Sequence, residues 1–207
     1  MQIKICGLKY PDNIREVLRL KPNYIGLIFH PYSPRFVDEE ISPGWMQELR
    51  GATKVGVFVN KPIQDLMNKA DLFGLDMVQL HGLETPAECR LVRASGLPVI
   101  KAFSVGEQFD FQQIMPYEKV VDYFLFDTKG KQPGGNGTAF DWQILDNYPS
   151  EVPFFLSGGI GPEHAEALRS FSHPRLHALD LNSRFEVEPG LKDVERLKQF
   201  MEKVSVL

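Results

Sequence analysis

The chain has 207 residues, 43% of them hydrophobic and 24% charged, which suits one globular domain with a real core. Its 23 basic and 27 acidic residues leave a formal charge of −4, so nucleic acid is not the expected partner: phosphate backbones select basic faces. Two cysteines, Cys6 and Cys89, are too few to staple a chain of this length and suit a reducing compartment. No run approaches the ~20 apolar residues of a membrane span. Met1 to Cys6 already reads as a strand rather than a signal peptide, so the expected location is the cytoplasm, without membrane attachment.

Taken in order, short β-rich runs alternate with longer amphipathic stretches. A first strand is predicted over Ile3–Cys6 and a helix over Asn13–Leu20. Strands follow at Tyr24–Phe29 and Lys54–Val59, then a helix at Ile63–Phe73 and a strand at Met77–His81. Next come a helix over Ala87–Ser95, a strand over Val99–Phe103 and a weak helical stretch, Phe109–Tyr117, limited by Pro116. The remaining strands are Tyr123–Asp127, Phe154–Ser157 and His177–Leu181, with helices at Glu163–Ser170 and Val194–Val204. Pro62 and Pro86 stand where a first helical turn tolerates proline, and Thr85 and Pro162 mark other helix starts.

Strand–helix alternation builds parallel βαβ units, and about eight of them predict an α/β fold, a single (β/α)8 TIM barrel spanning residues 1–207. An open doubly wound sheet is the alternative, but it normally needs fewer strands. Barrel sites lie at the C-terminal ends of the strands. At that rim the sequence places Cys6-Gly7, His30, Arg35, Gln79 to Gly82, Asp127, Ser157 to Gly159 and Asp180 to Ser183.

Lys4 and Cys6 are two apart on one strand and share a face, pointing into the barrel while Ile3 and Ile5 pack outward. An ammonium beside a thiol favours thiolate, so Cys6 is a candidate base; the alternative is a buried, inert cysteine. Asp127 closes the apolar strand Tyr123 to Phe126, where partial desolvation suits a general acid, or it caps a turn or pairs with Lys129. Gly130 to Thr138 is the longest irregular loop, rich enough in glycine to approach a ligand or move as a lid. Gly158 and Gly159, with Asn182 and Ser183, occupy the usual TIM-barrel phosphate position, or form two ordinary turns. Arg35 is placed to clamp a carboxylate, unless it is a solvated loop arginine. His30, His81 and His164 match no zinc spacing, so no metal is expected. His81 is either a polar wall of the site or a satisfied core histidine.

Several of these segments, read together, resemble one family. Lys4 to Gly7, Ser33 to Arg35, Val55 to Phe58, Gln79 to Gly82, Gly134 to Trp142, Leu156 to Gly159 and Pro189 to Asp193 occur in the order seen in phosphoribosylanthranilate isomerases, over almost the whole chain. The resemblance implies an Amadori rearrangement in tryptophan biosynthesis, without a cofactor, on a small phosphorylated substrate. It implies Cys6 as general base and Asp127 as general acid, with Arg35 on the anthranilate carboxylate. Lys4, Gln79, His81 and Asp180 complete the expected substrate-binding set, and Gly158, Gly159, Asn182, Ser183 and Arg184 the phosphate-binding set. The chain departs from the pattern at Asn182-Ser183-Arg184-Phe185, where Arg184 replaces a glycine and either adds charge to the phosphate cradle or points to solvent. His164 stands where the family commonly has asparagine. A histidine-pathway isomerase barrel would carry an aspartate at Cys6, and a silent barrel would lack one proton carrier. No coiled coil or long apolar stripe suggests a dimer, so a monomer is expected.

Overall fold

In the computed structural model, residues 1–37, 40–106, 108–128 and 142–205 are described. Eight parallel strands close on themselves: β1 (Gln2–Ile5), β2 (Tyr24–Ile28), β3 (Thr53–Phe58), β4 (Met77–Leu80), β5 (Val99–Val105), β6 (Tyr123–Thr128), β7 (Phe154–Ser157) and β8 (Leu176–Leu181). Closure is made by β1 against β8, with Lys4 opposite Asp180 and Ile5 opposite Leu181. The expected barrel forms, and each strand lies within two residues of its predicted bounds.

Alternation along the strands produces two apolar regions. Ile3, Ile5, Leu27, Val78, Phe124, Phe126 and Leu179 face outward into the main core beneath the helices. Tyr24, Val55, Met77, Ile100, Leu125, Phe155 and Ala178 fill the barrel interior. Strands buried on both faces read as nearly continuous apolar runs, which is why they stood out in the sequence. The interior is apolar lower down and becomes polar towards the C-terminal ends, where Lys4, Gln79 and Asp180 are buried.

Six α-helices lie among the described residues: α1 (Pro11–Arg19), α2 (Pro43–Glu48), α3 (Ile63–Phe73), α4 (Pro86–Ala94), α5 (Ala165–Ser170) and α6 (Val194–Ser205). In α4, Thr85 Oγ1 accepts the Glu88 N–H and the Glu88 carboxylate accepts the Thr85 N–H, a reciprocal cap that fixes where the helix starts. The stretch predicted as a helix over Phe109–Tyr117 is instead two 3₁₀ turns, Phe111–Gln113 and Met115–Tyr117. Pro116 has no N–H to donate and disfavours α geometry at the residue before it, so the turn cannot propagate. The short helix α2 and a small antiparallel ribbon after β8, β9 (Glu186–Glu188) with β10 (Leu191–Lys192), were not anticipated. That ribbon matters because it returns Lys192 to the mouth of the barrel. Asn13 of α1 pins it there, donating from Nδ2 to Lys192 O (2.9 Å) and accepting from Lys192 N at Oδ1 (2.7 Å). No helix among the described residues is long and apolar enough to cross a membrane.

Candidate active site

Cys6 follows β1, its backbone N–H donating to Leu181 O (2.8 Å), and its side chain is 4% exposed. Room for the thiol comes from Gly26 on the neighbouring strand. A Cβ added there would lie 2.7 Å from Cys6 Sγ, closer than real Cβ contacts come, so a larger residue would push the sulfur out of place. Lys4 sits one inward position below. Its Nζ is wholly buried and donates to Gln79 Oε1 (2.8 Å) and Asp180 Oδ1 (3.0 Å). From Gln79 the contacts continue to His81 Nδ1 (2.8 Å from Gln79 Nε2), and His81 Nε2 lies 3.5 Å from Asp127 Oδ2. Asp127 and His81 are each about one-third exposed, opening on the same cavity of about 200 Å³ as Cys6.

Buried charges set the electrostatics. Burial pushes the Cys6 thiol above its ordinary value, and the neighbouring Lys4 and Lys192 ammonium groups only partly oppose this. This corrects the expectation that a nearby ammonium would leave the thiol depressed: desolvation of a nearly enclosed sulfur is the larger effect. Burial also works against the Lys4 charge, but Asp180 and Cys6 outweigh it and hold the ammonium above its usual value. Burial raises the Asp180 carboxyl, with Lys4 offsetting part of the shift.

A second charged group stands on the other side of Cys6, and two of its members were missed in the sequence. Arg35 Nε donates to both Glu186 oxygens (2.9 and 3.1 Å) and its Nη2 to Oε2 (2.6 Å). Buried Lys192 also binds Glu186, at 2.6 Å, and donates to Asn182 Oδ1 at 2.8 Å. Arg35 is therefore no solvated loop arginine, and its fork is already engaged by an internal carboxylate. Those hydrogen bonds raise the guanidinium above its ordinary value and, despite burial, hold the Glu186 carboxyl below it, while burial pulls the Lys192 ammonium down. With Lys192 protonated, two cations share one anion and the group keeps a net positive charge beside Cys6. Lys192 lies in the Pro189 to Asp193 segment, which signalled kinship; the turn of the ribbon that carries it inward had no sequence mark.

Gly158 and Gly159 follow β7 with consecutive positive φ angles of 96° and 65°, which side chains rarely tolerate, so this wall of the cavity is bare backbone. Asn182, Ser183 and Arg184 line the same cavity from β8. Arg184 neither enters it alone nor points to solvent unpaired: Glu163 holds its guanidinium. His164 gains a structural account, since its Nδ1 accepts the Gly161 N–H (2.9 Å) and closes the turn after β7. Of the expected residues, Cys6, Gln79, His81, Asp127 and Asp180 meet around one cavity with the β7 and β8 loops. Lys4 lies behind Gln79 and Asp180, and Arg35 stands outside the lining. The glycine-rich stretch 130–138 and Lys129 lie outside the described residues.

The family pattern of N-(5'-phosphoribosyl)anthranilate (PRA) isomerase matches residues 3–203. The chain belongs to that family. A relative from Parabacteroides distasonis named N-(5'-phosphoribosyl)anthranilate isomerase is 48% identical, the match covering 99% of this chain and 93% of the relative. The solved phosphoribosyl anthranilate isomerase of Thermotoga maritima superposes with a TM-score of 0.88 at 31% identity over the whole of both chains. A further isomerase structure, at TM-score 0.83 and 30% identity over both full chains, holds reduced 1-(o-carboxyphenylamino)-1-deoxyribulose 5-phosphate. Membership makes the chain an isomerase of tryptophan biosynthesis on a TIM barrel.

Proposed function

We propose that this site converts N-(5'-phosphoribosyl)anthranilate to 1-(2-carboxyphenylamino)-1-deoxyribulose 5-phosphate with Asp127 as acid and Cys6 as base. Asp127 protonates the furanose ring oxygen, the C1–O bond breaks, and the anthranilate nitrogen supplies the electrons of the resulting Schiff base. Cys6 removes the C2 proton and leaves an enolamine. Asp127 then takes the enol proton while Cys6 returns its proton to C1, which gives the ketone and restores both side chains to their starting states. The observation that carries this reading is the opening of a thiol just after β1 and a carboxyl group on β6 onto one cavity. Gly158, Gly159, Asn182, Ser183 and Arg184 receive the phosphate at the position phosphate takes in many barrels. The net positive Arg35–Glu186–Lys192 group receives the anthranilate carboxylate, and Lys4, Gln79, His81 and Asp180 shape the wall between. The chain acts in this reading as a cytoplasmic monomer.

The test is turnover of freshly made phosphoribosylanthranilate, followed by loss of its anthranilate fluorescence. Rapid loss at catalytic enzyme concentration supports the reading, and none from folded protein rejects it. The Arg35→Met variant is expected to raise KM by about 10–100-fold, the worth of a charged hydrogen-bonded contact, with kcat changed much less.

The pH profile carries a further expectation. Burial raises the Cys6 thiol, so its proton is held to a higher pH than that of an ordinary thiol. Activity needs one proton on the pair, and kcat/KM therefore falls only when pH passes the raised Cys6 value. The alkaline limb is expected above the ordinary thiol range. A limb below it would mean that Lys4 and Lys192 outweigh burial.

A further inference from the structure

The contacts from Lys4 to Asp127 fix the direction of every hydrogen bond between them. An ammonium has three donors and no acceptor. Lys4 Nζ, 2.8 Å from the side-chain amide of Gln79, therefore requires the amide oxygen to face it. Lys4 cannot turn away, because it is wholly buried and its other partner is Asp180 at 3.0 Å. With its oxygen committed, Gln79 presents its NH₂ to His81 Nδ1 at 2.8 Å. A nitrogen that receives an N–H cannot carry a proton of its own, so the neutral ring is protonated at Nε2. That nitrogen faces Asp127 Oδ2 at 3.5 Å.

We propose that Lys4 and Gln79 form a tautomer lock that holds His81 as a donor towards Asp127. The lock decides which carboxyl oxygen bears the acidic proton. His81 Nε2–H is directed at Oδ2, which must accept, and the proton of a neutral Asp127 is left on Oδ1. The 3.5 Å separation shortens to a hydrogen bond when substrate displaces water, as catalytic contacts commonly do. Gln79 is thus a positioning residue two steps from the chemistry, rather than only a wall of the substrate site. The opposite tautomer would set a lone pair against the carboxylate and would favour a proton on Oδ2, pointing at the ring instead of the substrate. The proposal rests on Asp127 as the acid.

The test reads the tautomer directly. Long-range ¹H–¹⁵N spectra of histidine-labelled protein at neutral pH, with His81 assigned by its loss in His81→Asn, are expected to show Nδ1 bare and Nε2 protonated. Glu at position 79 still accepts from Lys4 but offers His81 a second acceptor. In Gln79→Glu the His81 Nδ1 signal should become protonated, with kcat falling about tenfold or more and KM changing less than about threefold. An Nδ1–H tautomer in the native protein overturns the proposal, and this measurement stands even if the variant does not fold. A folded Gln79→Glu variant that loses activity while His81 keeps its tautomer also overturns it. Absence of turnover by native protein that shows the Nε2–H tautomer rejects the proposed reaction while leaving the lock in place.

Discussion

Cys6→Ser and Asp127→Asn are each expected to lower kcat by about 10²–10⁴-fold in a protein that still folds, the usual contribution of a positioned proton-transfer group. Both changes nearly preserve shape. Serine is slightly smaller than cysteine and enters the space that Gly26 leaves open, and asparagine can still accept from His81. What each loses is the proton chemistry. A serine hydroxyl is far weaker as a base precursor than a thiol, even one pushed up by burial. An asparagine amide cannot protonate the departing ring oxygen. KM should move much less than kcat, because neither group supplies the charge that is proposed to hold the substrate's carboxylate or phosphate. The double variant should fall well short of the product of the two losses, since removing one member of a proton-transfer pair already removes most of what the other does. Fluorescence-monitored turnover of the three variants, with circular dichroism to confirm folding, checks this. Near-native turnover by either single variant would remove that residue from its proposed role.

The sequence revealed the barrel because each strand is a local event: an apolar run such as Phe124-Leu125-Phe126 stands out wherever it packs. It also revealed the rim, because a polar residue ending such a run, Asp127 or Asp180, faces the site by alternation alone. Phe109–Tyr117 failed as a helix because apolar spacing says nothing of the missing donor at Pro116. The larger miss was in charge. Arg35 and Glu186 are 151 residues apart and meet only because a two-strand ribbon folds back over the mouth. Nothing local announces that pairing, so the arginine read as one awaiting a carboxylate when it already held one. The Cys6 thiol was misjudged for a related reason. The proximity of Lys4 follows from a two-residue spacing, whereas the degree of enclosure, which decides the direction of the shift, depends on neighbours brought by barrel closure, Gly26 of β2 and Leu181 of β8 among them.

Lys4→Met should be the most destabilising single change at this site, costing about 3–5 kcal/mol at neutral pH, because it leaves the Asp180 carboxylate buried without its counter-charge. Against a total stability of about 5–15 kcal/mol for a typical domain, that loss is large enough to read in any unfolding experiment. Its pH dependence has a definite sign. Burial already raises the Asp180 carboxyl, and removing Lys4 raises it further, so the variant's carboxyl has a folded-state value above that of the unfolded chain. Such a group favours folding at acid pH and disfavours it as pH rises through the folded value. The deficit of Lys4→Met should therefore shrink on acidification. Adding Asp180→Asn should recover most of the lost stability, because replacing both members of a buried pair is far less costly than orphaning one. Activity should not return with it. The double variant has no ammonium to orient Gln79 or to oppose the desolvation of Cys6. Urea unfolding at two pH values, with kcat measured on the same samples, separates the two effects: recovery of stability without kcat shows that the Lys4–Asp180 pair serves activity apart from its part in folding. Recovery of both would reduce the pair to a structural role.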